Sequence, residues 1–235
     1  VTVGGNSIPV DAVLSIGEHG DYPLNDIGQQ LYPRRRFMEQ ITTTFEKHGR
    51  VVPVFNDKHL GPVWSDAKWM YDRARELKIP YMAGSSMPVG FRTTEIKLPM
   101  GSEIAAAVGI GYGGLEIYGF HALEFFQYHV ERRTGAERGV KAVRFLEGPA
   151  LWKAVDEGAV DKIALEAAFA AVPKVGQPDM RQDKDAGLFL FEYADGFTGA
   201  VLYLGCASGT SIGIRLKGQK QPLTTAFDER TEPRY

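Results

Sequence analysis

Two apolar runs in the first third of the chain, residues 10–16 and 51–55, alternate with stretches of helical periodicity. A third short run follows at 81–83. That strand–helix–strand–helix–strand order constrains the fold more than any other feature. It calls for parallel strands joined by right-handed crossovers, because a parallel pair cannot be closed by a hairpin. The runs are rich in Val, as strands covered on both faces are. Pro53 removes a ladder donor from the second run and hints at an edge or a bulge.

The intervening segments carry helix signals. Over 33–48, Pro33 suits a first turn, Phe37, Ile41 and Phe45 recur at helical spacing, and Gly49 follows as a stop. The next helix spans about 65–78, with Ser65 as N-cap. The triplet Arg34-Arg35-Arg36 reads as the solvated face of the first helix, with an anion site as the alternative.

Beyond Gly84 the character changes. Ser85, Ser86, Pro88 and Gly90 form a hinge-like stretch, which places a boundary between residues 1–86 and 87–235. The second part predicts a strand at 103–110, a long helix at 115–133 with Leu115, Tyr118, Ala122, Phe125 and Phe126 packed, and a strand at 139–146. Helices follow at 149–157 and 161–172, then a polar loop over 173–186. Residues 188–193 and 197–204 flank Ala194-Asp195-Gly196, a hairpin signal, and 211–216 extends the meander. The fold class is therefore α/β plus α+β. A parallel domain is followed by a largely antiparallel open sheet with helices on one face.

Composition excludes several functions. The 235 residues are 44% hydrophobic and 24% charged, ordinary for a globular protein. The formal net charge of −2 gives no electrostatic case for nucleic acid or an anionic membrane. No apolar run approaches the roughly 20 residues that span a bilayer. With Cys206 alone, neither an internal disulfide nor a multi-Cys zinc site can form, and a cytoplasmic setting is the default.

Titratable residues gather in three places. Gly17-Glu18-His19-Gly20-Asp21 and Asn56-Asp57-Lys58-His59 follow the first two strands, at the carboxyl ends where open α/β sheets bind ligands. His121 and Glu124 lie three apart on the long helix, hence on one face. Lys58 can hold a substrate hydroxyl or help move a proton, and His121 can shuttle one; the bland alternatives are a surface Lys and a packed His. We expect His19, Lys58, His121 and Glu124 to line a single cleft. The spacing of Gly109, Gly111 and Gly114 fits a dinucleotide loop. No second strand–helix unit follows it, and a tight turn is the better reading. A metal-dependent hydrolase, lyase or isomerase is open as an alternative, since His19, Asp21, Asp57, His59, His121 and Glu124 form an N/O donor set. A non-catalytic binding protein is the other.

Together these motifs resemble the Gfo/Idh/MocA family of NAD(P)-dependent oxidoreductases. Residues 10–16 are similar to its fourth Rossmann strand, and the GEHGDYP loop stands where the family has T-P-N-x-x-H. Asp57-Lys58-His59 resembles the E-K-P motif with its Lys kept, and Gly119 to Glu124 resembles G-x-H-x-x-D with Glu for Asp. The resemblance implies a Rossmann-like domain that lacks its first βαβ unit, and a substrate domain after it. It also implies NAD or NADP as cofactor and a sugar-like polyol or keto-sugar as the small-molecule substrate. Lys58, His121 and Glu124 would be catalytic. Gly17, Glu18, His19, Asp57 and Lys58 would meet the cofactor, and Asp21, His59, Tyr112 and Glu116 the substrate. A homo-oligomer formed through the C-terminal sheet is a further implication.

Overall fold

A computed structural model describes residues 5–17, 20–135, 138–174 and 178–227. The chain divides into two compact units, Val1–Ser85 and Ser86–Tyr235.

The first unit is a three-stranded parallel sheet in the order β1-β2-β3, formed by Val13–Ser15, Val54–Asp57 and Tyr81–Gly84. Helices α1 (Arg34–His48) and α2 (Trp64–Glu76) make the crossovers. Gly49 closes α1 at φ 62, the left-handed conformation that favours glycine. Ser65 does not cap α2. The helix starts one residue earlier with Val63 as N-cap, and its first turn has no side-chain cap. Pro53 makes neither an edge nor a bulge. It lies just before the central strand, where its carbonyl accepts a hydrogen bond from Val13 N–H and no donor is needed.

The core of this unit gathers Val52 and Val54 with Met38 and Phe45 of α1 and Met70 and Ala74 of α2. The buried stripe of α1 is Arg34, Met38, Thr42 and Phe45, one register away from the expected Phe37–Ile41–Phe45 row. Burial on both sheet faces does not hold. Leu14, Phe55 and Met82 are aligned across the three strands and exposed, Leu14 and Met82 by 69% and 68%. The alternate residues, Val54 foremost, are the ones packed on the helices.

The second unit is a six-stranded sheet in the order β5-β6-β7-β4-β8-β9, with β4 Ile104–Tyr112, β5 Val140–Glu147, β6 Gly187–Tyr193, β7 Thr198–Leu204, β8 Ser211–Leu216 and β9 Leu223–Ala226. The β6–β7 hairpin forms as expected, around Gly196 at φ 83. Strand β8 does not extend that meander. Strand β4 lies between, parallel to β7 and antiparallel to β8. Helices cover both faces rather than one. Val108 and Ile110 of β4 pack with α4 (Gly148–Asp156) and α5 (Lys162–Ala171), whereas Ala107 joins Phe125 and Phe126 of α3 (Leu115–Val130). The period-2 alternation of β4 is what separates the two cores. Leu115 and Tyr118, expected on the packed face of α3, are exposed; Gly119, Ala122, Phe125, Phe126, His129 and Val130 are buried.

Asp161 ties α5 to the sheet. Its carboxylate accepts from Ala164 N–H at 3.0 Å and from Arg215 Nε and Nη2 at 2.9 and 2.6 Å. Burial works to raise its pKa, but these hydrogen bonds outweigh that and hold it below the usual carboxylate range. Asp161→Ala removes an N-cap and leaves Arg215 without its acid, so urea unfolding should show a loss of about 2 kcal/mol.

Candidate functional site

In the first unit the site residues stand at the carboxyl ends of β1 and β2. Asp57 ends the central strand and Lys58 follows it at φ 66, a left-handed conformation unusual for a residue with a side chain. Two contacts hold that conformation. Lys58 N–H donates to Gly84 O at 3.1 Å, bridging to the end of β3. Buried Asn56 donates through Nδ2 to the carbonyls of Asp57, Lys58 and His59, each at 3.3 Å. The turn is thereby closed by a side chain from inside the sheet. Lys58 Nζ donates to Asp57 Oδ2 at 2.9 Å, and both side chains are part-exposed. An ammonium and a carboxylate so paired can donate to and accept from a ligand hydroxyl.

Gly17 lies half-buried just after β1, with Arg34 beside it. Glu18 and His19 lie outside the described residues. Asp21 is exposed and His59 is half-buried. The arginine triplet is not a uniform solvated face. Arg36 is exposed, and Arg35 pairs with Glu39 and Asp66 over the Trp69 ring. Arg34 is only 3% exposed.

In the second unit, His121 and Glu124 are half-buried on α3. The His121 ring centroid is 6.4 Å from that of Tyr118 and 5.6 Å from that of Phe120. Tyr112, at the end of β4, lies 4.7 Å from the Tyr118 ring, and Glu116 is exposed in the first turn of α3. Gly109 and Gly111 serve packing. A Cβ at Gly111 would come within 2.7 Å of Ala122 and Tyr203, and one at Gly109 within 3.3 Å of Phe126 and Val201. These glycines let α3 lie close on β4, while Gly113 at φ 71 makes the turn between them.

Among the described residues no three His, Cys, Asp or Glu side chains converge as metal ligands, and no helix is long and apolar enough to cross a membrane. The Cys206 thiol is pushed up to about 11 by burial and by Asp183, so it is no ready nucleophile.

No family model and no curated protein matches the chain. Solved structures do. The crystal structure of GenD2 from gentamicin A biosynthesis in complex with NAD aligns at a TM-score of 0.50 and 13% identity, over 92% of this chain and 54% of that one. An NAD binding oxidoreductase from Klebsiella pneumoniae aligns at 0.50 and 14%, over 89% and 52%. The chain shares their fold. It spans about half the length of these structures, and at such identities the likeness speaks to architecture alone. A parallel α/β unit followed by a mixed, mostly antiparallel sheet is the fold that the sequence resemblance implied.

Two residues escaped the sequence reading. Asn56 was visible only as part of a polar cluster, and its role depends on where three carbonyls point. Arg34 looked like one of three equivalent cations, and only packing separates it from its neighbours.

Proposed function

We propose that the chain belongs to an NAD(P)-dependent oxidoreductase that moves a hydride to or from a sugar-like polyol or keto-sugar. One observation carries the reading. The Asp57–Lys58 pair sits at the carboxyl end of the central strand of a parallel sheet, where such sheets bind ligands, on a fold shared with an NAD complex.

The described residues fit one end of such a cofactor. Gly17 gives close backbone approach, and Asp57 with Lys58 offers an acceptor and a donor for ribose hydroxyls. They supply no diphosphate loop, because the space at Gly109, Gly111 and Gly113 is filled by Phe126, Tyr203 and Tyr118. The cofactor when bound would supply the hydride acceptor or donor. Lys58 donates a hydrogen bond from Nζ to the hydroxyl oxygen being oxidised, with Asp57 fixing the ammonium. On the second unit, the resemblance gives His121 the role of proton acceptor, with Glu124 assisting it. Asp21 and His59 on the first unit, and Tyr112 and Glu116 on the second, are the candidate contacts for further hydroxyls that the resemblance implies. Self-association through the second unit's sheet belongs to the same reading, supported by the exposed Val143 and Phe145 on edge strand β5.

Lys58→Ala and His121→Ala, each made in the full-length protein, should lower kcat by about 10²-fold with the fold retained. Steady-state kinetics over a panel of polyols and keto-sugars with NAD and NADP, and circular dichroism of each variant, read this. Wild-type rates in either variant would remove that residue from the chemistry.

A further inference from the structure

Arg34 is the first residue of α1, and its guanidinium is nearly sealed from water, yet Nε and Nη1 have no hydrogen-bond partner among the described residues. A buried guanidinium with unmet donors is a costly arrangement, and native structures keep such groups where something else completes them. Burial lowers its pKa, but an arginine stays charged at any physiological pH. The Tyr32 ring lies 4.6 Å from the guanidinium carbon and offsets part of the lost hydration. Its side chain lies against Gly17, just past the carboxyl end of β1, and the Asp57 carboxylate works against the lowering. Asp57 is already bonded to Lys58 Nζ at 2.9 Å. One carboxylate thus acts on two cations.

The end of α1 adds to the imbalance. Pro33 provides no side-chain cap, and the first turn holds no acidic residue. Its free N–H groups and positive dipole end favour an anion. Arg35 does not compete for one, since Glu39 and Asp66 occupy it.

We propose that Arg34 is an anion-binding residue, whose guanidinium at the amino end of α1 receives a carboxylate or phosphate of a small-molecule ligand at the sheet end that also carries Asp57 and Lys58. The planar fork suits a two-oxygen contact with either group. Combined with the oxidoreductase reading, on which this extension rests, the substrate class is a sugar acid or a sugar phosphate. Lys58 would then meet a hydroxyl while Arg34 holds the charged group.

The test needs neither cofactor nor turnover. The 235-residue chain is titrated by calorimetry with inorganic phosphate, with D-glucuronate and with neutral glucose, at constant ionic strength. Phosphate or glucuronate should bind and glucose should not. The preferred anion tells a sugar phosphate from a sugar acid. Arg34→Met should weaken anion binding by about tenfold or more, and Arg36→Met should leave it unchanged. Arg34→Lys covers the case in which Arg34→Met does not fold. It keeps the charge and loses the fork, so undiminished affinity in it would overturn the proposal. Failure of the wild-type chain to bind either anion would also overturn it. Anion binding without NAD(P)-dependent turnover would leave Arg34 standing and remove the redox reading. Turnover of a neutral polyol without anion binding would do the reverse.

Discussion

Gly213→Ala should destabilise the second unit by about 3 kcal/mol, at the top of the usual range for overpacking. Gly213 lies in β8 opposite Val108 of β4 and Thr224 of β9, in the middle of the sheet. Helix α5 lies directly over it. An added Cβ would fall well inside contact with the Ala164 carbonyl oxygen, and within 3.0 Å of Ala168 N. Both are backbone atoms of a helix, so no rotamer change relieves the clash. The helix would have to lift. It cannot lift freely, because Ser211 Oγ donates to Ala168 O at 2.7 Å and Thr224 Oγ1 to Ala167 O at 3.3 Å, and Ala164 and Ala168 are fully buried. Urea unfolding of the variant and the parent measures the loss. A change under about 0.5 kcal/mol, the scatter of neutral surface substitutions, would show that α5 is not so closely seated.

Acid should unfold this unit through His129. The ring is buried on α3, with Nδ1 2.7 Å from Phe125 O, so Nδ1 carries the proton and donates to that carbonyl. Burial is the main cause that brings its pKa down to about 4. The Phe125 hydrogen bond works upward, and the Arg92 and Arg132 charges push down again. The folded value is therefore below the unfolded one near 6.5, and the unfolded chain binds the extra proton between the two. Stability is complete above pH 6.5 and falls as pH drops toward 4, by about 3 kcal/mol over that window. His129→Leu removes the titrating group and should flatten the stability profile between pH 6.5 and 4, as read by urea unfolding at a series of pH values. An equal slope in the variant would assign the acid sensitivity to other groups.

Much of the architecture is carried by local pattern. The alternation of apolar runs and helical stretches before Gly84, the Gly49 stop and the Asp195-Gly196 hairpin are short-range signals. Each holds because the backbone conformation it demands is available to few other residues. The placement of Asp57 and Lys58 at a strand end follows from the same pattern, since a parallel strand must finish before its crossover helix begins. Where the reading failed, the missing information was long-range. Strand β8 pairs with β4, about 100 positions upstream, and no hairpin periodicity reports such a partner. Whether helices cover one face or both depends on which alternate residues of β4 meet α3 and which meet α5. The three arginines at 34–36 are identical in composition and nearly so in local context. Helical rotation alone turns Arg34 inward with Met38, Thr42 and Phe45, leaves Arg36 in water, and brings Arg35 to Asp66, 31 positions away. Their chemistry was legible in the sequence; which one is sealed from water against Gly17 was decided only by the packing of α1 on the sheet.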